Sequence, residues 1–281
     1  MRIIWEFCQA YHRSNEIGCF WFSAHRDFDI VADMYRNQRV IVVMPAYNAA
    51  VTLRRTHEET LAQGVVDHII VVDDASRDET VAIARTLPQT TVHVHSRNSG
   101  YGANQKTCYR LALEAGADIV IMVHPDYQYT PHLIPAMVAL IGGGLYECVL
   151  ASRILGGDAV RRGMPAWRYV ANRGLTFAEN ILTGAKLSEY HTGYRAFSRR
   201  LLEKLNLTAN SDDFIFDNQM ILQILWRGEP LAEVTCPVHY ATDASSINFL
   251  RSVRYGIGCL GYGVLYRLAK WHWVRPTFLG K

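Results

Sequence analysis

The stretch His124-Pro125-Asp126-Tyr127-Gln128 closes an apolar run ending at Val123 with an imidazole, a carboxylate and an amide oxygen. Oxygen ligands leaving a buried strand suit a hard dication, magnesium or manganese, and a ring nitrogen suits manganese better than magnesium. Asp126, Gln128 and His124 are therefore the candidate metal ligands, and a diphosphate is the ligand that such an ion would bridge. The bland alternative for His124 is a strand end bonded to backbone. Asp73 and Asp74 leave a second apolar run, His68 to Val72. Adjacent carboxylates repel unless a donor or cation relieves them, and a nucleobase N–H or ribose hydroxyls would serve. Asp78, a few residues on, reads as the cap of the next helix.

Arg97-Asn98-Ser99-Gly100-Tyr101-Gly102-Ala103 is a turn opening a helix, where amides and the helix dipole accept anionic oxygens. It is neither a dinucleotide fingerprint, which needs a third glycine, nor a Walker A loop, which needs Gly-Lys-Ser/Thr. Asp213 and Asp217 lie four apart, so one helical face would carry both, and this pair would supply a general base for a hydroxyl acceptor. Capping of that helix explains Ser211 or Asp212 equally well. In His191-Thr192-Gly193-Tyr194-Arg195, the Arg195 cation either holds a phosphate or pairs with a neighbouring acid.

Short β-branched runs alternate with helical patterns from Val40 onward. Val40–Met44, His68–Val72, Thr91–His95, Ile119–Val123, Cys148–Ala151, Tyr194–Ser198 and Leu231–Val238 read as strands. Thr52–Gln63, Glu79–Thr86, Tyr101–Ala115, Pro131–Ile141, Ala166–Leu182 and Phe214–Arg227 read as helices. Successive βαβ crossovers require an α/β fold with a mainly parallel, twisted sheet and helices on both faces. Such sheets bind ligands at the strand C-termini, where Pro45-Ala46-Tyr47-Asn48, Asp73-Asp74, Arg97 to Gly100 and His124 to Gln128 all fall.

A chain of 281 residues, 49% hydrophobic, fits one such domain with a tail, and a net charge of +3 gives no case for nucleic acid. The expected division is an N-terminal extension over 1–37, the α/β domain over 38–246 and an amphipathic tail over 247–281. Six scattered cysteines without a CxxC pair read as reduced thiols. Charged residues interrupt the N-terminal apolar patch before a secretory segment forms, and no run reaches the roughly 20 apolar residues of a spanning helix. The chain therefore reads as cytoplasmic. In the tail, Phe249, Val253, Ile257, Leu260, Val264, Leu265 and Leu268 recur at helical spacing between Arg251, Arg254, Arg267 and Lys270. That stripe suits either an anionic membrane surface or packing on the core or on a second copy.

The ordered series of clusters resembles glycosyltransferase family 2, in the branch similar to dolichyl-phosphate mannosyltransferase and bacterial polyprenyl-phosphate glycosyltransferases. The series adds Ser152-Arg153, Asn172-Arg173 and Thr192 to Phe197 to those above, and the match runs from about Val40 to Ser246. The resemblance implies a GT-A fold with a Rossmann-like nucleotide-binding half, a nucleotide-diphosphate-sugar donor, a divalent cation and inversion at the anomeric carbon. It places Pro45, Tyr47, Asn48 and Asp73 or Asp74 around the nucleoside, and Asp126 and Gln128 on the cation. His124 stands where the family has the first Asp of its DxD motif. Arg153, Arg173 and Arg195 match positions near the donor and acceptor phosphates, and charge considerations add Arg97 and the Gly100 turn.

The implied acceptor is a polyprenyl phosphate, or a glycan or lipid hydroxyl, met at the inner face of the membrane. The late Arg-x-x-Gly-x-Ser-Lys element of the polyprenyl branch is replaced by Tyr240 to Ile247. Two further readings use the same residues. One is a nucleotide-sugar-binding protein of weak or no activity, motivated by His124; the other is a sugar nucleotidyltransferase, opposed by Pro45-Ala46-Tyr47-Asn48 where a glycine-rich loop is needed.

Overall fold

The computed structural model describes residues 37–238 and 249–280. The expected extension over 1–37, Cys8, Cys19 and the segment Tyr240 to Ile247 lie, but for residue 37, outside the described residues. The strands are β1 (Val40–Ala46), β2 (His68–Asp73), β3 (Thr90–Val94), β4 (Ile119–Met122), β5 (Cys148–Ser152), β6 (Arg195–Ser198) and β7 (Leu231–Thr235). The helices are α1 (Leu53–Leu61), α2 (Thr80–Arg85), α3 (Tyr101–Glu114), α4 (Ile134–Gly142), α5 (Ala166–Thr183), α6 (Arg199–Lys204), α7 (Phe216–Arg227) and α8 (Phe249–Lys270).

The strands form one sheet in the order β3-β2-β1-β4-β6-β5-β7. All neighbouring pairs are parallel except those of β6, which runs antiparallel to both β4 and β5. β1, with every residue buried, shows why the central strands read as unbroken apolar runs: both faces are covered. On one face Ile41, Val43, Ile70, Val72, Val120 and Met122 pack with residues of α3 and α7. On the other, α4 packs across β4, β5 and β6.

Two features of this topology build the site. The chain moves from β1 outward through β2 to β3, then returns to place β4 on the other side of β1, so a crevice opens between the C-terminal ends of β1 and β4. Because β6 is antiparallel, its N-terminal approach, His191 to Tyr194, arrives at that same edge. Arg195 pairs with Met122 of β4 and Leu150 of β5.

The tail forms α8, which packs on α5 and α7 and buries Cys259, Tyr266 and Ala269. Lys270 lies 4.7 Å from the Trp226 ring of α7. Val253, Ile257, Val264 and Leu265 remain exposed. No helix of the described residues is long and apolar enough to cross a membrane.

Candidate active site

Asp126 stands at the end of β4, where its Oδ1 accepts the Gln128 amide at 3.1 Å, a local turn that fixes the carboxylate. Its Oδ2 and the Gln128 side chain make no hydrogen bond to the described residues. Tyr127 between them has φ 59°, donates its hydroxyl to Glu59 of α1 at 2.5 Å, and has Arg55 at 3.8 Å over its ring. Asn48 after β1 (φ 51°) and Ala75 after β2 (φ 60°) are also left-handed. A non-glycine residue in that region costs roughly 1–3 kcal/mol and persists only where its surroundings hold it.

The first two loops hold each other. The Asn48 amide donates to Ser76 Oγ at 2.8 Å, Arg77 N–H donates to Asn48 Oδ1 at 2.9 Å, and Ala50 N–H donates to Asp78 Oδ2 at 3.1 Å. Asp78 also accepts the Thr80 amide at 3.1 Å, but the N-cap of α2 is Glu79, one residue later than expected, so Asp78 ties the helix start to the β1 loop from just outside it. Tyr47 is half exposed at the lip of the crevice, and Pro45 is buried within β1.

His124 engages Tyr101 through one of its two ring nitrogens. Its ring stacks on Tyr101 with centroids 5.6 Å apart, and its Nε2 lies 3.1 Å from the Tyr101 hydroxyl. A side chain on Gly193 would place its Cβ 2.5 Å from that nitrogen, so the β6 approach must carry glycine here. Of the expected ligand set, Asp126 and Gln128 offer unengaged oxygen donors suited to a hard cation, while His124 retains only Nδ1.

The acids at the end of β2 are satisfied from within. Asp73 is fully buried and accepts the Ser76 amide at 2.9 Å together with the Ser76 hydroxyl. Asp74 accepts His95 Nδ1 at 2.8 Å, Ser99 N–H at 2.8 Å and Gly100 N–H at 3.0 Å. The expectation that a nucleobase or ribose relieves their repulsion is corrected: loop amides and His95 do so.

The same bonds correct the phosphate expectation for the Gly100 turn. Its anion is the Asp74 carboxylate, and the next amides, Gly102 and Ala103, donate to the Asp212 carbonyl at 2.7 and 3.3 Å. Gly100 itself, at φ 100°, would bring a Cβ to 2.7 Å from that carbonyl. Arg97 is exposed beside this turn.

Asp213 and Asp217 do not share a helical face, because α7 starts only at Phe216. Asp213 is exposed and accepts the Phe214 amide at 2.8 Å. Asp217 is buried, accepting Tyr101 Oη–H at 2.7 Å and Gln105 Nε2–H at 3.0 Å, with Arg195 Nη1 at 3.6 Å. Arg195 is fully buried and donates to the carbonyls of Thr192 (2.7 Å), Asp217 (2.7 Å) and Tyr190 (3.1 Å). Of its two expected alternatives, pairing with an acid is the one present; the phosphate grip is corrected. Arg153 Nε donates to Glu189 Oε1 at 2.9 Å and Nη2 to the His191 carbonyl at 3.0 Å. Asn172 donates to the same Glu189 oxygen at 3.0 Å.

Burial would raise the Glu189 carboxyl, but the Arg153 guanidinium and its hydrogen bonds override it and hold the group below the usual carboxylate range. A depressed folded-state value contributes stability that is complete above the unfolded value of about 4.3 and is lost as pH falls through the folded one. Denaturant titrations between about pH 3 and pH 6 are expected to show that slope and to find it reduced in Glu189→Gln.

Tyr101 and Glu189 are the participants that pattern alone did not single out. Tyr101 stands between His124 and Phe214, whose ring centroid is 4.8 Å away, and links His124 to Asp217. Burial, then the Asp217 carboxylate, pushes its phenol well above the usual range, so it stays a donor. Tyr101→Phe removes one donor from buried Asp217 and is expected to cost about 1–3 kcal/mol in urea unfolding. A separate cavity of 330 Å³, lined by Ala209, Gln219, Tyr262, Leu265, Val274 and Phe278 among others, shares no residue with the strand-end site.

A mainly parallel sheet carrying one antiparallel strand, with unengaged oxygen donors at its switch point and held loops around them, is a GT-A type fold. The chain belongs to glycosyl transferase family 2, whose model matches residues 41–206, more than half of the chain. It is thus an inverting glycosyltransferase that moves a sugar from a nucleotide-diphosphate-sugar donor to an acceptor. The chain is similar to the UDP-N-acetylglucosamine–dolichyl-phosphate N-acetylglucosaminyltransferase of Methanococcus voltae, with 29% identity over 183 residues, covering 59% of this chain and 72% of that one. The polyprenol monophosphomannose synthase of Mycolicibacterium smegmatis is 28% identical over 203 residues, covering 70% and 76%. Among solved structures, glucosyl-3-phosphoglycerate synthase from Mycobacterium tuberculosis superposes with a TM-score of 0.63 at 20% identity, covering 86% of this chain and 84% of that one. The same synthase is known in complex with Mn2+, uridine diphosphate and glucosyl-3-phosphoglycerate.

Proposed function

We propose that the acceptor is a polyprenyl phosphate, glycosylated at a membrane surface on its cytoplasmic side. The observation that carries this reading is the fate of the two acids: Asp217 is buried and bonded to Tyr101, Gln105 and Arg195, and Asp213 lies outside the helix in solvent. A hydroxyl acceptor needs a base to take its proton, whereas a phosphate is already ionised at neutral pH. The curated relatives named above act on dolichyl phosphate or make a polyprenol phosphomannose.

The surface supports a lipid substrate. α5 exposes Trp167, Val170, Phe177 and Ile181, spaced so that they lie along one face, and α8, packed against α5, exposes Val253 and Ile257. Arg173 and Arg254 are exposed on the same two helices, so charge and apolar area together fit an anionic bilayer. Arg153, held by Glu189 and Asn172, follows β5 at the sheet edge shared with Asp126, and Arg173 bonds the Ser188 carbonyl at 3.0 Å. Flotation with vesicles containing anionic lipid is expected to capture the protein. Phe177→Asp, a change on an exposed position, is expected to weaken capture about tenfold or more, since burying such a side chain contributes about 1.5–3 kcal/mol.

Asp126 and Gln128 would hold a divalent cation on the donor diphosphate, where it supplies countercharge to the departing nucleoside diphosphate. Tyr47 and Asn48 line the nucleoside side of the crevice, and Arg97 adds a cation for the phosphates. Gly193 and His124, in contact, close the floor between β4 and β6. Incubating the full chain with labelled UDP- and GDP-sugars, manganese and a short polyprenyl phosphate tests the proposal. Label is expected in the lipid fraction; sugar transfer to hydroxyl acceptors with none to the lipid phosphate would overturn it.

A further inference from the structure

A polar cluster far from the surface joins α5, α7, α8 and the approach to β6. Glu179, His191 and Cys259 place a carboxylate oxygen, a ring nitrogen and a thiol sulfur within 4.8 Å of one another. Glu179 and Cys259 are fully buried, and the His191 side chain is 9% exposed. Glu179 Oε2 and His191 Nε2 lie 3.1 Å apart, yet both are buried without a hydrogen-bond partner among the described residues. Two such atoms aimed at each other, beside a thiol, are the expected signature of a missing third party rather than of a finished hydrogen bond.

From these residues we propose a structural zinc site formed by Glu179, His191 and Cys259. Carboxylate, imidazole and thiolate are all zinc ligands, and bonds of about 2.0–2.3 Å in tetrahedral directions put ligand atoms roughly 3.3–3.6 Å apart, close to the O···N separation present. Asn218 Nδ2 donates to Glu179 Oε1 and so orients the carboxylate from outside the ligand set. The outer contacts suit the assignment. His191 Nδ1 lies 3.0 Å from the Tyr255 hydroxyl, which fixes the ring and leaves the Nε2 lone pair for the metal. Binding transfers the Cys259 thiol proton to solvent, and thiolate and carboxylate then cancel the dication, so the buried site is neutral.

This site is distinct from the donor site at Asp126. Its ligands come from helices α5 and α8 and from the residue two before Gly193, which touches His124. A metal here would pin the tail helix to the loop that floors the active site, a structural rather than a reacting role.

Metal analysis of the full chain purified from zinc-supplemented cells is expected to find one zinc per chain. Replacement by cobalt(II) should give tetrahedral d–d bands with a thiolate-to-cobalt charge-transfer band that Asp126→Ala retains and Cys259→Ser loses. Glu179→Gln is expected to weaken zinc binding by at least about 100-fold, given that outer-shell changes alone cost 10–100-fold. Protein from zinc-supplemented cells that carries no zinc, and whose cobalt-treated form shows no thiolate band, would overturn the proposal and leave an ordered water between Glu179 and His191. Survival of the band in Cys259→Ser would overturn it equally. If that variant does not fold, the wild-type metal content and cobalt spectrum decide alone.

Discussion

Asp126→Ala is expected to lower sugar transfer by about a thousandfold, or about 4 kcal/mol of barrier, and to abolish the response to added manganese. Loss of the nucleoside diphosphate builds negative charge on the departing oxygen, and fixed positive countercharge in a crevice is the largest single means of stabilising it. Asp126 holds the carboxylate oxygen at the β1/β4 switch point that no described residue engages. Its one hydrogen bond among the described residues is to Gln128, two residues on, so the variant should keep its fold, with a stability change of about 1 kcal/mol or less. Initial rates against manganese concentration, with a thermal melt of each protein, separate the two effects. Wild-type rates with an unchanged manganese response would remove Asp126 from the site. His124→Asp adds an oxygen donor in place of a nitrogen, so the preference among ions is expected to move from manganese toward magnesium.

The sheet was legible because buried parallel strands leave a strong mark: β1, β2 and β4 are runs of Val, Ile and Met with both faces covered. α6 escaped because it is a single short piece that starts at once after β6, capped by Ser198 accepting the Leu201 amide, and six residues carry no period. α7 begins two residues later than its pattern because the backbone before it is engaged elsewhere, the Asp212 carbonyl accepting Gly102 and Ala103. The same distance effect decided which polar residues were misread. Asp74 is relieved by residues of the β3 loop, and Asp217 meets Tyr101 from more than a hundred positions away, pairings that no local spacing encodes. The strand-end position of Asp126 and Gln128, by contrast, follows from local sequence alone, since both leave β4 and their mutual bond spans two residues.

Arg195→Met is expected to destabilise the fold by about 3–5 kcal/mol, because it leaves Asp217 as a buried charge without its cation. For a chain of this size that corresponds to a fall in melting temperature of roughly 6–20 °C. The antiparallel course of β6 makes this residue critical: it enters the sheet between β4 and β5 with its guanidinium spanning the carbonyls of Tyr190, Thr192 and Asp217. Burial alone would lower the guanidinium's affinity for its proton, but the Asp217 carboxylate more than compensates and raises it. Adding Asp217→Asn to Arg195→Met removes the orphaned charge while keeping an acceptor for Tyr101, and should recover at least half of the loss. Denaturant unfolding of the single and double variants measures that coupling directly. A strut also makes a second demand: the folded fraction of Arg195→Met must bind uridine or guanosine diphosphate as the parent does. An unchanged melting temperature with lost nucleotide affinity would instead return Arg195 to the donor phosphates.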